Sequence, residues 1–175
     1  MYLSVFTKER NCRRGQFCPN KLMGERAIEL GAGRGLAGFG MALLGCNVIS
    51  TDQKEVLPLL MRNVERNISR IKQANLNSAS MSSIQVAELD WGNSHQIAAV
   101  DPPFDYAIST NIVYPEHLLD PPVATLNALF GPKTTIVLGY ELRSTNVHEK
   151  MMNMWKTNYE VKSIPKSKTN PKYIW

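Results

Sequence analysis

Five short apolar runs punctuate this chain, with helical patterns between them. The runs are Arg26 to Leu30, Asn47 to Thr51, Ile84 to Leu89, Phe104 to Ser109 and Thr134 to Gly139. Near-continuous apolar stretches of this length suit strands buried on both faces. Between the second and third, Val56, Leu60, Val64, Ile68 and Ile71 recur at three- and four-residue steps, which predicts an amphipathic helix over Lys54 to Ile71. Pro115 stands where a helix can begin, because a first helical position needs no N–H, and predicts a helix over Glu116 to Leu129 that stops at Gly131-Pro132. Val147, Met151, Met154 and Trp155 make a further stripe, with Asn146 as its expected cap, and Tyr159 to Ile164 reads as a last strand. Lys72 to Ser83 is polar enough to be a loop. Strands alternating with helices predict an α/β fold, a Rossmann-like doubly wound parallel sheet.

At 175 residues the chain predicts one domain, with 1–23 as a helical or loop segment, 24–164 as the core and 165–175 as a loose tail. The uncharged stretch Gly35 to Ser50 holds four glycines and falls short of a membrane span, and Met1 to Arg14 lacks the apolar stretch of a signal peptide. The expectation is a soluble monomer of the cytoplasm or nucleus with no membrane contact. Cys12, Cys18 and Cys46 match no zinc spacing and His95, His117 and His148 are scattered, so neither a disulfide nor a metal is expected. The formal charge is +5, with basic residues gathered in Lys8 to Lys21 and Lys156 to Lys172. Such clusters attract acidic partners such as nucleic acid, but without interleaved aromatics they read first as a solvated basic surface.

Candidate chemistry starts at Glu29-Leu30-Gly31-Ala32-Gly33-Arg34-Gly35, directly behind the first apolar run. Residues without a Cβ let a strand turn sharply into a helix while the backbone packs on a ligand that faces the helix N-terminus. The run also contains a G-x-G-x-x-G, Gly33 to Gly38, which would suit a dinucleotide. Glu29 tilts the choice. A carboxylate there suits a cationic amino group and would repel a pyrophosphate. Gly31, Ala32, Gly33 and Gly35 are therefore expected to line a cofactor. Asp52 ends the second strand, where it can bind ribose hydroxyls with Gln53 beside it, although an acid there is also a common helix cap. Asp90 can accept from an adenine amino group while Trp91 packs on the base, the plainer alternative for Trp91 being core packing. The fourth strand ends at Ser109-Thr110, expected at the cofactor, and runs on to Asn111 and Tyr114, expected to face an acceptor. Oxygen acceptors there can hold an uncharged nitrogen with its lone pair aimed in line with a group to be transferred.

With these residues in this order, the chain resembles the seven-β-strand S-adenosylmethionine-dependent methyltransferases, and more closely the protein-lysine methyltransferases grouped as methyltransferase family 16, from about Asn11 to Lys172. The resemblance rests on Glu29-Leu30-Gly31-Ala32-Gly33, Thr51-Asp52, Asp90-Trp91, and Asn111-Ile112-Val113-Tyr114 in place of a D-x-x-Y. It implies S-adenosylmethionine as cofactor, S-adenosylhomocysteine as product, and lysines of proteins such as chaperones and elongation factors as acceptors. The chain departs from the family in three ways. Asn111 replaces the acid, keeping an acceptor oxygen and losing the charge. No G-x-x-W element precedes Gly31, and the chain stops at Trp175 before the family's last hairpin, so a chain truncated at both ends with an exposed sheet edge is expected. Asn-x-x-Tyr is also near the N-P-P-Y of methyltransferases acting on amide or adenine amino groups, with Ile112 and Val113 in place of the prolines. Two alternatives stay open: transfer to nucleic acid or another amine, and a degenerate methyltransferase fold that binds partners without turnover.

Overall fold

A computed structural model describes residues 19–74, 82–110, 120–139 and 144–161. A short helix α1 (Pro19–Leu22) precedes β1 (Arg26–Leu30), α2 (Leu36–Leu43), β2 (Asn47–Asp52), α3 (Leu57–Ala74), β3 (Ile84–Glu88), α4 (Ser94–Ala99), β4 (Phe104–Thr110), α5 (Asp120–Leu129), β5 (Phe130–Gly139) and α6 (Thr145–Asn158). The five strands form one parallel sheet in the order β3-β2-β1-β4-β5. Alternation along β1 divides the core between the two faces. Ala27 packs with Ala37, Met41, Leu60 and Val64 of α2 and α3. Ile28 and Leu30 pack with Ile97, Leu126, Leu129, Met151 and Trp155 of α4, α5 and α6. Helices on both faces of a parallel sheet are the doubly wound architecture that the alternating pattern predicts.

Element boundaries depart from expectation where local bonds override the pattern. α3 starts at Leu57, because Val56 N–H closes a turn on the Gln53 carbonyl at 3.0 Å and takes Lys54 to Val56 out of the helix. α6 is capped by Ser144 rather than Asn146, its hydroxyl oxygen accepting from Val147 N–H at 3.4 Å. Gly131-Pro132 does end α5, but β5 begins at once and contains both residues. There Thr134 Oγ1 accepts from Gly131 N–H at 2.9 Å and donates to the Phe104 carbonyl at 2.6 Å, beside a register irregularity between Phe104 and Tyr106. Tyr159, Glu160 and Val161 are not in a strand, since Tyr159 N–H caps α6 on the Trp155 carbonyl and its ring packs against Phe130 and Trp155. Residues 162–164 of the expected last strand, 116–119 of the expected helix and 75–81 of the expected loop lie outside the described residues. No described helix is long and apolar enough to cross a membrane.

Candidate functional site

In an open parallel sheet, ligands bind beyond the carboxyl ends of the strands, where the strand order reverses. That reversal lies between β1 and β4 here. The register sets Leu30 beside Thr51 and Ser109, Asp52 beside Glu88, and Thr110 beside Gly139. The glycine turn, Asp52, the Asp90-Trp91 pair and Thr110 therefore share one rim.

Gly31, Gly33 and Gly35 all take left-handed backbone angles, with φ of 60°, 55° and 79°. Two of them differ in what surrounds them. A Cβ on Gly35 would come within 2.7 Å of Leu60, whereas one on Gly33 would meet nothing within 4 Å, so the turn is packed below and open above. Ala32 N–H donates to the Thr51 carbonyl at 2.9 Å, and Gly33 N–H donates to Asp52 Oδ2 at 2.7 Å. Asp52 Oδ1 accepts from Gln53 N–H at 2.8 Å, and Gln53 itself is exposed. Each carboxylate oxygen keeps a second acceptor site, so Asp52 can fix the turn and still receive a hydroxyl.

Glu29 corrects the sequence expectation. Its side chain is 1% exposed, with one carboxylate oxygen accepting from Ala37 N–H at 3.0 Å and the other from the Ser50 hydroxyl at 2.7 Å. A Cβ on Gly38 would approach Glu29 Oε2 to 2.5 Å, so helix and carboxylate touch. The acid thus lies beneath the turn, held by the free N–H groups of the first turn of α2, instead of meeting a ligand's amino group above it. Burial pushes its pKa above the ordinary carboxylate range, against the lowering effect of the Ser50, Gly38 and Ala37 donors. Ser109 is corrected in the same way. It is fully buried, and its hydroxyl donates to the Leu30 carbonyl at 2.7 Å, stitching β4 to β1. Thr110 is half-buried at the strand end. Asn111 and Tyr114 lie outside the described residues.

At the end of β3 the chain is held on four sides. Leu89 N–H donates to the Asp52 carbonyl at 3.0 Å, Asp90 N–H to Gln96 Oε1 at 2.6 Å, Gly92 N–H to Thr125 Oγ1 at 2.7 Å, and Asn93 N–H to the Asp90 carbonyl at 3.0 Å. Gln96 Nε2 donates in turn to Glu88 Oε1 at 3.0 Å. The Asp90 carboxylate, half-buried, bonds to no described residue. Trp91 is half-buried and packs against the core cluster that contains Ile28, Leu30 and Leu89, the plainer of its two sequence readings. Sequence reasoning missed Ser50, Gln96 and Thr125. Gln96 alone left a signal, an Asn-x-x-Gln pattern at the start of α4, where Asn93 Oδ1 accepts from Gln96 N–H at 3.2 Å.

Two grooves open elsewhere. One of about 370 Å³ lies between α2 and α3, lined by Arg34, Phe39, Asn63 and Arg70 among others, and one of about 300 Å³ lies at the opposite end of the strands around Arg26 and Phe104. Neither contains Asp52 or Asp90, and the case for the rim is its chemistry. No cluster of three His, Cys, Asp or Glu able to hold a metal occurs among the described residues.

Residues 1–158 match the sequence profile of a family described as lysine methyltransferases. A protein N-lysine methyltransferase METTL21A of Danio rerio is 36% identical over 122 residues, 70% of this chain and 52% of that protein. An EEF1A lysine methyltransferase 3 of Xenopus tropicalis is 34% identical over 131 residues, 74% of this chain and 53% of that protein. The chain spans about half the length of the curated relatives it matches. Among solved structures, the glycopeptide N-methyltransferase MtfA complexed with S-adenosylmethionine superposes with a TM-score of 0.54 at 16% identity, covering 78% of this chain and 53% of that one. That likeness concerns the fold.

Proposed function

The chain belongs to the lysine methyltransferase family, and from that premise we propose that it is an S-adenosylmethionine-dependent methyltransferase whose acceptor is a lysine side chain of a protein. The observation that carries the reading is the rim itself: a turn open above Gly33, with the carboxylates of Asp52 and Asp90 at the next two strand ends. That set of acceptors fits a ligand rich in donors. Asp52 would take ribose hydroxyls, Asp90 the exocyclic amine of adenine, and Trp91 one face of the base. When bound, S-adenosylmethionine supplies a methyl group on a sulfonium that an amine displaces, leaving S-adenosylhomocysteine.

The chain's own part in the reaction is positioning. Lysine has a reference pKa of about 10.4, so the acceptor must shed a proton, and desolvation beside a cation favours the neutral amine. We assign the oxygens of Asn111 and Tyr114 to the amine N–H groups, leaving the lone pair aimed along the line of transfer. Relatives named for lysines on proteins support a protein acceptor. The Asn-x-x-Tyr sequence favours one second reading, an amide or nucleobase amine as acceptor.

Thermal unfolding with S-adenosylhomocysteine, and with NADH as control, tests the cofactor. Ligand at a hundredfold excess over its dissociation constant stabilises by about 2.7 kcal/mol, a rise of roughly 5 to 10 °C for a chain of this size. A rise with NADH alone overturns the reading. Labelled methyl appearing in RNA and not in protein overturns the lysine assignment while keeping the cofactor.

A further inference from the structure

A carboxylate that reads an amine must be held still, and Asp90 is held by everything around it except its own side chain. Its N–H is bonded to Gln96, its carbonyl to Asn93 N–H, and the next residue but one to Thr125. Gln96 does two things at once, accepting from Asp90 N–H and donating to Glu88 Oε1. Without that donor, the half-buried Glu88 carboxylate, two residues from Asp90, would lose the side-chain bond that draws it toward Gln96. Thr125 is fully buried on α5, 33 positions along the chain from Gly92, and its bond ties the turn to the opposite side of the switch point. Gly92 has φ of 82° with open space around its Cβ position, so no side-chain packing at Gly92 fixes this turn. The hydrogen bonds hold it there, beside the packing of Trp91 against the core.

We propose that Gln96 and Thr125 are positioning residues for base selectivity: they lock the Asp90-Trp91-Gly92 turn so that the Asp90 carboxylate accepts from the 6-amino group of adenine. This rests on the cofactor reading above. It adds two residues that touch no ligand and act through Asp90. Selectivity of this kind is distinct from affinity, because a carboxylate held in place to bond an amine penalises the analogue that lacks it, whereas general damage to the pocket weakens both ligands alike and leaves the preference intact.

The test compares S-adenosylhomocysteine with its analogue carrying unsubstituted purine, by calorimetry on the full chain. A charge-assisted bond predicts that the wild-type chain prefers the adenine ligand by about tenfold or more. Gln96→Leu and Thr125→Val should reduce that preference to about twofold or less, while Thr125→Ser, which keeps the accepting hydroxyl, should restore it. Gln96 is only half-buried, in the first turn of α4, so Gln96→Leu keeps the question answerable should the fully buried Thr125→Val fail to fold. Equal weakening of both ligands, with the preference intact, would make Gln96 and Thr125 structural only and overturn the inference. A wild-type preference of unity would overturn the role of Asp90. Failure of the wild-type chain to bind either ligand, while cooperatively folded, would overturn the cofactor reading itself.

Discussion

Four of the five residues of β1 are buried, and the polar groups beside them are buried too: Glu29, Ser50 and Thr51 are each 1% exposed or less. Along β5, at the edge of the described sheet, no residue is fully buried and Pro132 and Lys133 are exposed. The two regions hold their shape by different means. Under the glycine turn, the side chains of Glu29, Ser50 and Thr51 each have a protein partner where water has no access, so one lost partner leaves another stranded in a low-dielectric interior. Around β5, groups that lose a partner can turn to solvent. The side under the glycine turn is therefore stiff and intolerant of change, and the β5 side is compliant.

Removing Glu29 should break this contrast most visibly. Glu29→Ala strands Ala37 N–H and the Ser50 hydroxyl beneath the turn and leaves a cavity, at a cost of about 3 kcal/mol, read from denaturant unfolding. A loss under about 1 kcal/mol would mean that the turn is as compliant as β5. Glu29→Gln should retain most of the stability, since its oxygen can accept from Ala37 and its amide can donate to Ser50. The pair of variants also gives a pH test. The folded carboxyl has a pKa raised by burial, so the folded state binds its proton more tightly than the unfolded one. Its contribution is full below the unfolded pKa of about 4.3 and declines as pH rises through the folded value. Wild-type stability should thus fall relative to Glu29→Gln as pH rises from about 4.5 toward neutral, and a rise instead would place the charged form as the favoured one.

At the rim, Asp52→Ala should weaken S-adenosylhomocysteine binding by about 1 to 3 kcal/mol, through lost bonds to the ribose hydroxyls and a released Gly33 N–H. Unchanged affinity by calorimetry would remove Asp52 from the site. On the compliant side, Thr134→Val deletes the bonds to Phe104 and Gly131 at the start of β5. The expected loss is about 1 kcal/mol of stability with cofactor affinity unmoved. A matching loss of affinity would show the two regions to be one mechanical unit.

Sequence reading resolved the stiff region's outline and missed its interior, for one physical reason. β1 was legible to the residue because five consecutive positions in a central parallel strand must satisfy burial on both faces. The glycines were legible because left-handed backbone selects them. Where a side chain points is settled by partners distant along the chain, however, and Glu29 reaches Ser50 across 21 positions, as Gly92 reaches Thr125 across 33. A carboxylate before a glycine turn looks identical in sequence whether it faces up to a ligand or down to a helix N-terminus. β5 was misread at its start for the opposite reason. Gly131-Pro132 is a genuine helix stop, but an edge strand with exposed positions tolerates both residues, so the same pair could end one element and begin the next.

The smallest effect falls at Cys46, which joins the stiff region at the base of β2. It is fully buried, its thiol donates to the Leu22 carbonyl at 3.2 Å, and burial, with smaller contributions from Glu25 and Asp105, pushes its pKa up to about 12. At pH 8 the reactive thiolate is then about one part in ten thousand, on a sulfur that no reagent can reach in the closed state. Alkylation by iodoacetamide, followed at Cys46 by peptide mapping, should proceed only through opening of the sheet. If the rim and the base of β2 open as one unit, S-adenosylhomocysteine bound at the far ends of the same strands will slow this labelling by the factor that it stabilises the folded state. If labelling is indifferent to ligand, Cys46 is exposed by a local movement of α1 away from β2, and the stiffness inferred from Glu29 ends at the rim.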